Sequence, residues 1–540
     1  MQKSFVRVGI LAVVSLVATA LVAGCSTNSG TISAVSPTAN TSATSSTNIT
    51  ATYSNIAETA SLDPAIVFSS DGLIFVRNVY ETLLEYKPST MDLQPLLAES
   101  WTISPDGLSY TFNIRSGVTF QDGSALDGAA VVNGLKRIQA INQGPASFMT
   151  NIVGISSPSS LSVVINLKNR DYTFLGKLPK LPIVSAAAVT AHKTASDPWA
   201  QTWFATNSAG SGPYMLDNWQ RNQAITLKKF AQYWRPFASG TPTTVVLRVD
   251  PDISTAMQLL QAGTVDFMGA VGPDDSARAE TMNGVQVLES PSYYIQLMPM
   301  NVTRGPLKDV RVRHAISLAF DYNQMIAFYQ GFADAATGPL PTGFSQNIAS
   351  RPKMTQNLVE AKKLLVEAGY SKGFTLKYLG LKGLSYEEFA GTVLQSSLAK
   401  IGIKVEQSLV PWPQMAAAYS KRSTAYDISF LNMSAWTDDA GNFLNSSYSS
   451  TTVGDKGGYN WSFLEDPAIT NEIANLSQIG DAAKRLAATE VLNAKIADLY
   501  PAIYAAQPKL AQPARAGWTA SYDSLDANYT IRFFYTRKVA

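Results

Sequence analysis

Residues Pro95 to Val132 read PLLAESWTISPDGLSYTFNIRSGVTFQDGSALDGAAVV, and this stretch decides the fold. Pro105-Asp106-Gly107 is a turn signal, because proline presets φ and glycine accepts φ > 0. After it, Leu108, Tyr110, Phe112 and Ile114 alternate with Ser109, Thr111, Asn113 and Arg115. A period of two predicts a strand with one face buried. Ser116-Gly117 and Asp122-Gly123 punctuate again. A helix is predicted from about Asp127, with Val131, Val132, Leu135 and Ile138 on one stripe.

The same rhythm continues outward. Leu161, Val163, Ile165 and Leu167 alternate as a further strand, and residues 244–249 are a β-branched run. A helix beginning at Pro251-Asp252-Ile253 carries Ala256, Leu259 and Leu260, and Ala262-Gly263 closes it before the next strand. Strand, helix, strand implies an α/β layer with a partly parallel sheet. Later helices carry Val312, Ile316, Ala319 and Phe320, then Leu358, Ala361, Leu364, Leu365 and Ala368, then Leu492, Ile496 and Leu499. Asp321 with Gln324 reads as a capping box.

A chain of 540 residues exceeds one core and predicts two or three domains. Lys3 and Arg7 are the only charges before Cys25, so the remaining 40 bases of the 42 balance 40 acids. A neutral chain lacks the basic footprint that nucleic acid requires. The single cysteine, Cys25, excludes disulfides and cysteine-based zinc sites within one chain. The two histidines, His192 and His314, cannot hold a first-row metal alone, so no metal or cofactor is expected. His314 lies off the apolar stripe of its helix and reads as a packing or surface residue.

Met1 to Gly24 has a basic start and an apolar run from Val8 to Ala23. That run is short of the ~20 residues of a spanning helix and fits a signal peptide. Leu21-Val22-Ala23-Gly24-Cys25 resembles a lipobox, which implies lipidation of Cys25. Residues 26–52 are rich in Ser, Thr, Asn and Ala and carry no charge. A disordered tether of about 30 Å r.m.s. is expected there. Globular sequence is expected from Tyr53.

As a string, residues 95–132 resemble the signature of the bacterial family 5 extracellular solute-binding proteins. These are the dipeptide-, oligopeptide- and nickel-binding components of ABC importers. Ser61-Leu62-Asp63-Pro64-Ala65, Val79-Tyr80-Glu81-Thr82-Leu83-Leu84 and Gly210-Ser211-Gly212-Pro213-Tyr214 resemble further family segments. The pattern departs at Gly128-Ala129-Ala130, where an acidic residue is usual. The resemblance spans about Ala60 to Tyr504. It implies an α/β, two-lobed periplasmic-binding-protein-like fold of type II, with an extra subdomain and two crossing hinge segments. The expected divisions are a leader at 1–24 and lipid attachment with tether at 25–52. A first lobe at 53–292 follows, with an inserted subdomain at about 85–210, then a second lobe at 293–505 and a return at 506–540.

The implied function is capture of a small solute between the lobes and delivery to separate permease subunits. An oligopeptide or dipeptide is the first expectation, with an oligosaccharide, opine or metal chelate as alternatives. The implied protein is a monomer, lipid-anchored on the extracytoplasmic face, with no nucleic-acid partner and no catalysis.

Ser434-Ala435-Trp436-Thr437-Asp438-Asp439 with Asn442-Phe443-Leu444 resembles the family's ligand loop. The resemblance implies that Asp439 pairs with a ligand α-ammonium, with Asp438 as second candidate. A charge-assisted bond of this kind strengthens as the dielectric falls. Trp436 and Trp412 would offer aromatic faces, Phe68 and Ser69 would edge the cleft, and Lys382 would meet a ligand carboxylate. The plainer alternatives are solvated turn aspartates, core tryptophans and a solvated lysine. Residues 210–214 form a glycine-rich turn into a strand, not a phosphate loop. Ser397-Leu398-Ala399-Lys400 matches Ser-x-x-Lys and keeps a serine hydrolase as the alternative of another class, although its companion motifs are missing.

Overall fold

The computed structural model describes residues 48–88, 92–269, 271–290, 292–344, 353–520 and 530–539. The leader, Cys25 and most of the expected tether lie outside the described residues.

The first lobe is built on a seven-stranded sheet. Its order is Val285–Ser290, Leu510–Arg515, Phe267–Met268, Thr50–Asn55, Thr244–Val249, Ala224–Lys229, Tyr214–Gln220. The middle is parallel, because Thr50–Asn55 pairs with both Thr244–Val249 and Phe267–Met268. The right-handed crossover expected of such units uses the helix Ile253–Gln261, whose cap residue Asp252 accepts the Thr255 N–H at 2.7 Å. The strand Thr50–Asn55 corrects the expectation that the tether runs to Thr52. Ala51 and Tyr53 are buried in the middle of the sheet. Thr-Ala-Thr-Tyr-Ser-Asn is too short and polar to announce itself. Its burial comes from strands about 200 residues away.

The opening stretch forms the subdomain. Ala98–Ile103, Ser109–Ile114, Ser162–Leu167 and Ile152–Ser159 make a four-stranded antiparallel sheet in that order. Tyr110, Phe112 and Ile114 are buried, as the alternation requires. The helix Gly128–Ile141 covers them. Asp127 Oδ1 accepts the Ala130 N–H at 2.8 Å, and Asn142 ends the helix in the left-handed region at φ 53°. Val131, Leu135 and Ile138 are buried, while Val132 is half-buried.

Arg137 joins that buried face. Its two terminal nitrogens each lie 2.7 Å from a carboxylate oxygen of Asp63, and its Nε donates to Trp199 O at 2.8 Å. The Leu62-Asp63-Pro64 segment is thereby tied to the subdomain helix. The glycines of residues 210–214 have a similarly tertiary reason. A Cβ on Gly210 would stand 2.0 Å from the Val79 carbonyl oxygen, and one on Gly212 would stand 2.7 Å from the Val79 carbonyl carbon. Between them Ser211 Oγ donates to Glu81 at 2.9 Å.

In the second lobe, Tyr294–Pro299 lies between Ala502–Pro508 and Leu431–Ser434, with Ala333–Asp334 on the outer edge. A parallel set, Lys404–Val410, Thr375–Leu381 and Ile428–Ser429, stands beside it. The chain passes between lobes twice, from Ser290 to Tyr294 and from Pro508 to Leu510. The strand Ala502–Pro508 continues beyond residue 505 because it pairs with both Tyr294–Pro299 and Ala333–Asp334. The chain therefore re-enters the first lobe's sheet at Leu510 rather than at residue 506.

Candidate functional site

Three second-lobe strands, Thr375–Leu381, Lys404–Val410 and Leu431–Ser434, end towards one cavity of about 460 Å³. Leu381, Trp412 and Ser434 bring those ends into its wall. The carboxyl ends of strands are where open α/β sheets place ligands. A volume of this order suits a small organic solute.

The loop between Leu431–Ser434 and the helix Ala440–Tyr448 forms the side nearest the first lobe. Trp436 leaves its own lobe and stacks on Phe68, with ring centroids 4.5 Å apart and planes at 26°. Both rings also border a small void of about 30 Å³ that reaches Arg77 and Lys180 of the first lobe. That void holds a water or two at most. The Tyr172 N–H donates to Ser477 O at 2.8 Å and adds another bridge between the lobes.

Asp439 lines the cavity, is 6% exposed, and meets the first lobe directly. Thr173 Oγ1 lies 2.8 Å from Asp439 Oδ2 and 2.7 Å from Asp171 Oδ1. Lys177 Nζ pairs with the other Asp171 oxygen at 2.6 Å. One hydroxyl has one hydrogen to donate. Both short contacts are hydrogen bonds only if one carboxyl also carries a proton. Burial pushes the Asp439 carboxyl above its usual range, with Lys177 and the Thr173 bond pulling the other way.

The other expected site residues are scattered. Trp412 stands on the cavity rim, 44% exposed, and stacks at 5.9 Å on Trp461, which stacks at 4.4 Å on Tyr419. Asp438 is half-buried and lies outside the cavity wall. Ser69 is exposed at the start of the helix Ser70–Val79 and borders neither space. Lys382 is exposed, and only its main chain is engaged, donating to Val410 O at 3.0 Å. Its side chain is not in the wall. Ser397 is fully buried, and its Oγ accepts the Asp321 N–H at 3.1 Å. Lys400 reaches towards Asp321 at 3.8 Å. A nucleophile cannot work from that position. His314 stacks on Tyr500 at 4.1 Å, and burial lowers its pKa. Among the described residues no cluster of three metal-binding side chains occurs.

Sequence reasoning missed Thr173, Lys177, Thr437 and Glu387. Thr173 and Lys177 lie in the subdomain, far along the chain from residue 439. Thr437 sits inside the recognised loop. Its hydroxyl is buried in the cavity wall and, among the described residues, has no hydrogen-bond partner. Glu387 looks like an ordinary acid in the first turn of a helix.

Two α/β lobes that touch through an aromatic stack and a hydroxyl–carboxyl contact, beside a cavity at strand ends, define a solute-binding protein. The profile of the bacterial extracellular solute-binding proteins, family 5 (middle region), matches residues 92–455, about two thirds of the chain. The chain belongs to that family. It is 28% identical over 552 residues to haem-binding protein A of Haemophilus influenzae, covering 95% of this chain and 97% of the other. It is 30% identical over 334 residues to the glutathione-binding protein GsiB of Escherichia coli, covering 61% and 63%. Among solved structures, HbpA2 of Haemophilus parasuis matches with a TM-score of 0.79 at 22% identity, over 89% of this chain and 99% of that one. The Helicobacter pylori protein DppA, in complex with the peptide STSA, matches with a TM-score of 0.71 at 24% identity, over 91% and 98%. These likenesses establish the two-lobed periplasmic-binding-protein fold.

Proposed function

We propose that this chain is the extracytoplasmic solute-binding component of an ABC importer, and that its solute is a short peptide. The observation that carries this reading is Asp439, a buried carboxyl lining a solute-sized cavity where the two lobes touch. The relatives' names include haem, glutathione and peptide binders, and peptides, glutathione among them, bring a free amine to such a carboxyl whereas haem does not. The ammonium of the peptide pairs with the Asp439 carboxylate beside the contact that it already makes with Thr173. Peptide main chain then meets Thr437 and the neighbouring polar wall, and the lobes close over it about the segments at 290–294 and 508–510. Closure is ligand-driven because the peptide gains the first-lobe contacts only in the closed form. The closed form is delivered to permease subunits, which are separate chains.

A tryptic digest of casein, incubated with the protein and passed through gel filtration, tests this. Retained peptides identified by mass spectrometry, with a smaller radius of gyration in small-angle scattering, are the expected result. A digest that leaves the protein empty and its scattering curve unchanged overturns the peptide reading.

Anchoring through Cys25 belongs to the same proposal. Among the described residues no helix is long and apolar enough to cross a membrane. Cys25→Ser should move the protein from the membrane fraction to the soluble one. Unchanged fractionation of that variant would refute lipidation.

A further inference from the structure

Two adjacent glutamates open the helix Ser385–Ala399, and the fold treats them differently. Glu388 Oε1 folds back to accept the Gly383 N–H at 2.8 Å. Glu387 turns inward, is buried, and Oε2 accepts the Leu381 N–H at 2.7 Å. Glu387 lines the same cavity as Asp439, as does Leu381, whose N–H its carboxyl holds. Among the described residues no lysine, arginine or histidine lines that cavity, and none forms an ion pair with Glu387.

Burying a carboxylate without a cation is unfavourable by several kcal/mol, on the order set by desolvation. The rest of the wall favours positive charge. Tyr294, Tyr386, Trp412, Trp436 and Tyr459 present aromatic rings, whose faces attract cations. The buried Thr437 hydroxyl still lacks a partner among the described residues. A cavity with two acidic residues, an aromatic wall and, among the described residues, no base suits a solute with two positive charges. Among the described residues it offers a carboxylate no cationic side chain to pair with.

Resting on the solute-binding reading, we propose that Glu387 is a second cation-recognising position, selecting basic peptides. The α-ammonium meets Asp439, and a lysine or arginine side chain meets Glu387. The peptide's carboxylate lies outside this cavity.

Desolvation by burial raises Glu387 to about 7, with the Leu381 N–H opposing. The titratable groups around it are the Tyr378 hydroxyl, which donates to Glu387's own carbonyl at 2.9 Å, Glu388 beside it, and Asp439 across the cavity. None supplies a positive charge. A bound ammonium favours the ionised carboxylate, so affinity for basic peptides rises with pH up to about 7, until the peptide's own α-ammonium begins to lose its proton near pH 8.

Isothermal titration with Lys-Ala-Ala, Ala-Lys-Ala and Ala-Ala-Lys, each beside its Nε-acetyl-lysine counterpart, tests the proposal. At pH 8 at least one lysine peptide should bind about tenfold or more tightly than its acetylated form, as one buried charge-assisted bond allows. Glu387→Gln should erase that preference, since its carboxamide still accepts the Leu381 N–H and preserves the turn. From pH 8 to pH 6 the lysine peptide's advantage over its acetylated form, which shares the same α-amine, should shrink by about tenfold with the native protein, and much less with Glu387→Gln. Equal affinities for lysine and acetyl-lysine peptides would overturn the role of Glu387 and leave peptide binding standing. Failure of all six to bind a protein with an unchanged melting curve would overturn both.

Discussion

Arg137→Met should destabilise the protein by about 3–5 kcal/mol, the usual loss when one partner of a buried ion pair is removed. Both side chains are essentially without solvent contact. Asp63 would keep its charge and its bond from the Ala65 N–H, but lose both guanidinium contacts. The guanidinium also lies over the Phe204 ring at 4.4 Å, a contact that methionine retains only as packing. Pairing the change with Asp63→Asn removes the stranded charge and keeps an acceptor for Ala65. That double variant should regain at least about half of the loss, because the cost lies in the uncompensated charge rather than in the missing attraction. Urea unfolding followed by circular dichroism reads both values. A single-variant loss below about 1 kcal/mol would mean that the pair is screened by water. The pair matters for function because the Asp63 segment leads directly to Phe68, the ring that receives Trp436.

Asp439→Asn should weaken binding of a free-amine peptide by more than tenfold, while an N-acetylated peptide should lose little. Asparagine keeps the shape and can still accept from Thr173, so lobe contact survives. Only the negative charge goes, and a charge-assisted bond in a buried site is roughly twice as strong as a neutral one. Thr173→Val is the companion variant. It removes the contact between lobes and leaves the carboxyl in place, so it should weaken both peptides alike by impeding closure. Calorimetry on the two variants separates a residue that reads the amine from one that holds the lobes together. Equal loss of both peptides in Asp439→Asn would assign Asp439 to closure alone.

Glu387 and Asp439 show why the site was only partly legible beforehand. The Trp-x-x-Asp spacing singled out Asp439 through its likeness to a family loop, and the cavity does include it. Nothing in the string Ser-Tyr-Glu-Glu-Phe tells which glutamate faces a cavity. That depends on how the helix rolls against Thr375–Leu381 and where Leu381 leaves its N–H. Lys382 has the opposite history. Its charge invited a role in binding, yet it follows the strand's last residue and projects into solvent. Trp412 and Trp436 both reach the site, one on the rim and one in the contact between lobes, a division that residue type does not encode.

By itself the sequence determined what short-range forces control. The alternation in residues 108–115, the caps at Asp127, Asp252 and Asp321, and the glycine after Ala368 each act within one turn or one strand. The hydrogen bonds of the three caps each close between residues three apart. Tertiary structure alone decided which charges are buried and who meets them. Thr173 and Asp439 are 266 residues apart, and Asp63 and Arg137 are 74 apart. The burial of Ala51 likewise needed distant strands on both sides. A buried carboxyl takes its proton, its partner and its pKa from surroundings that only a folded chain assembles, because desolvation depends on everything within a few ångströms and not on neighbours in sequence.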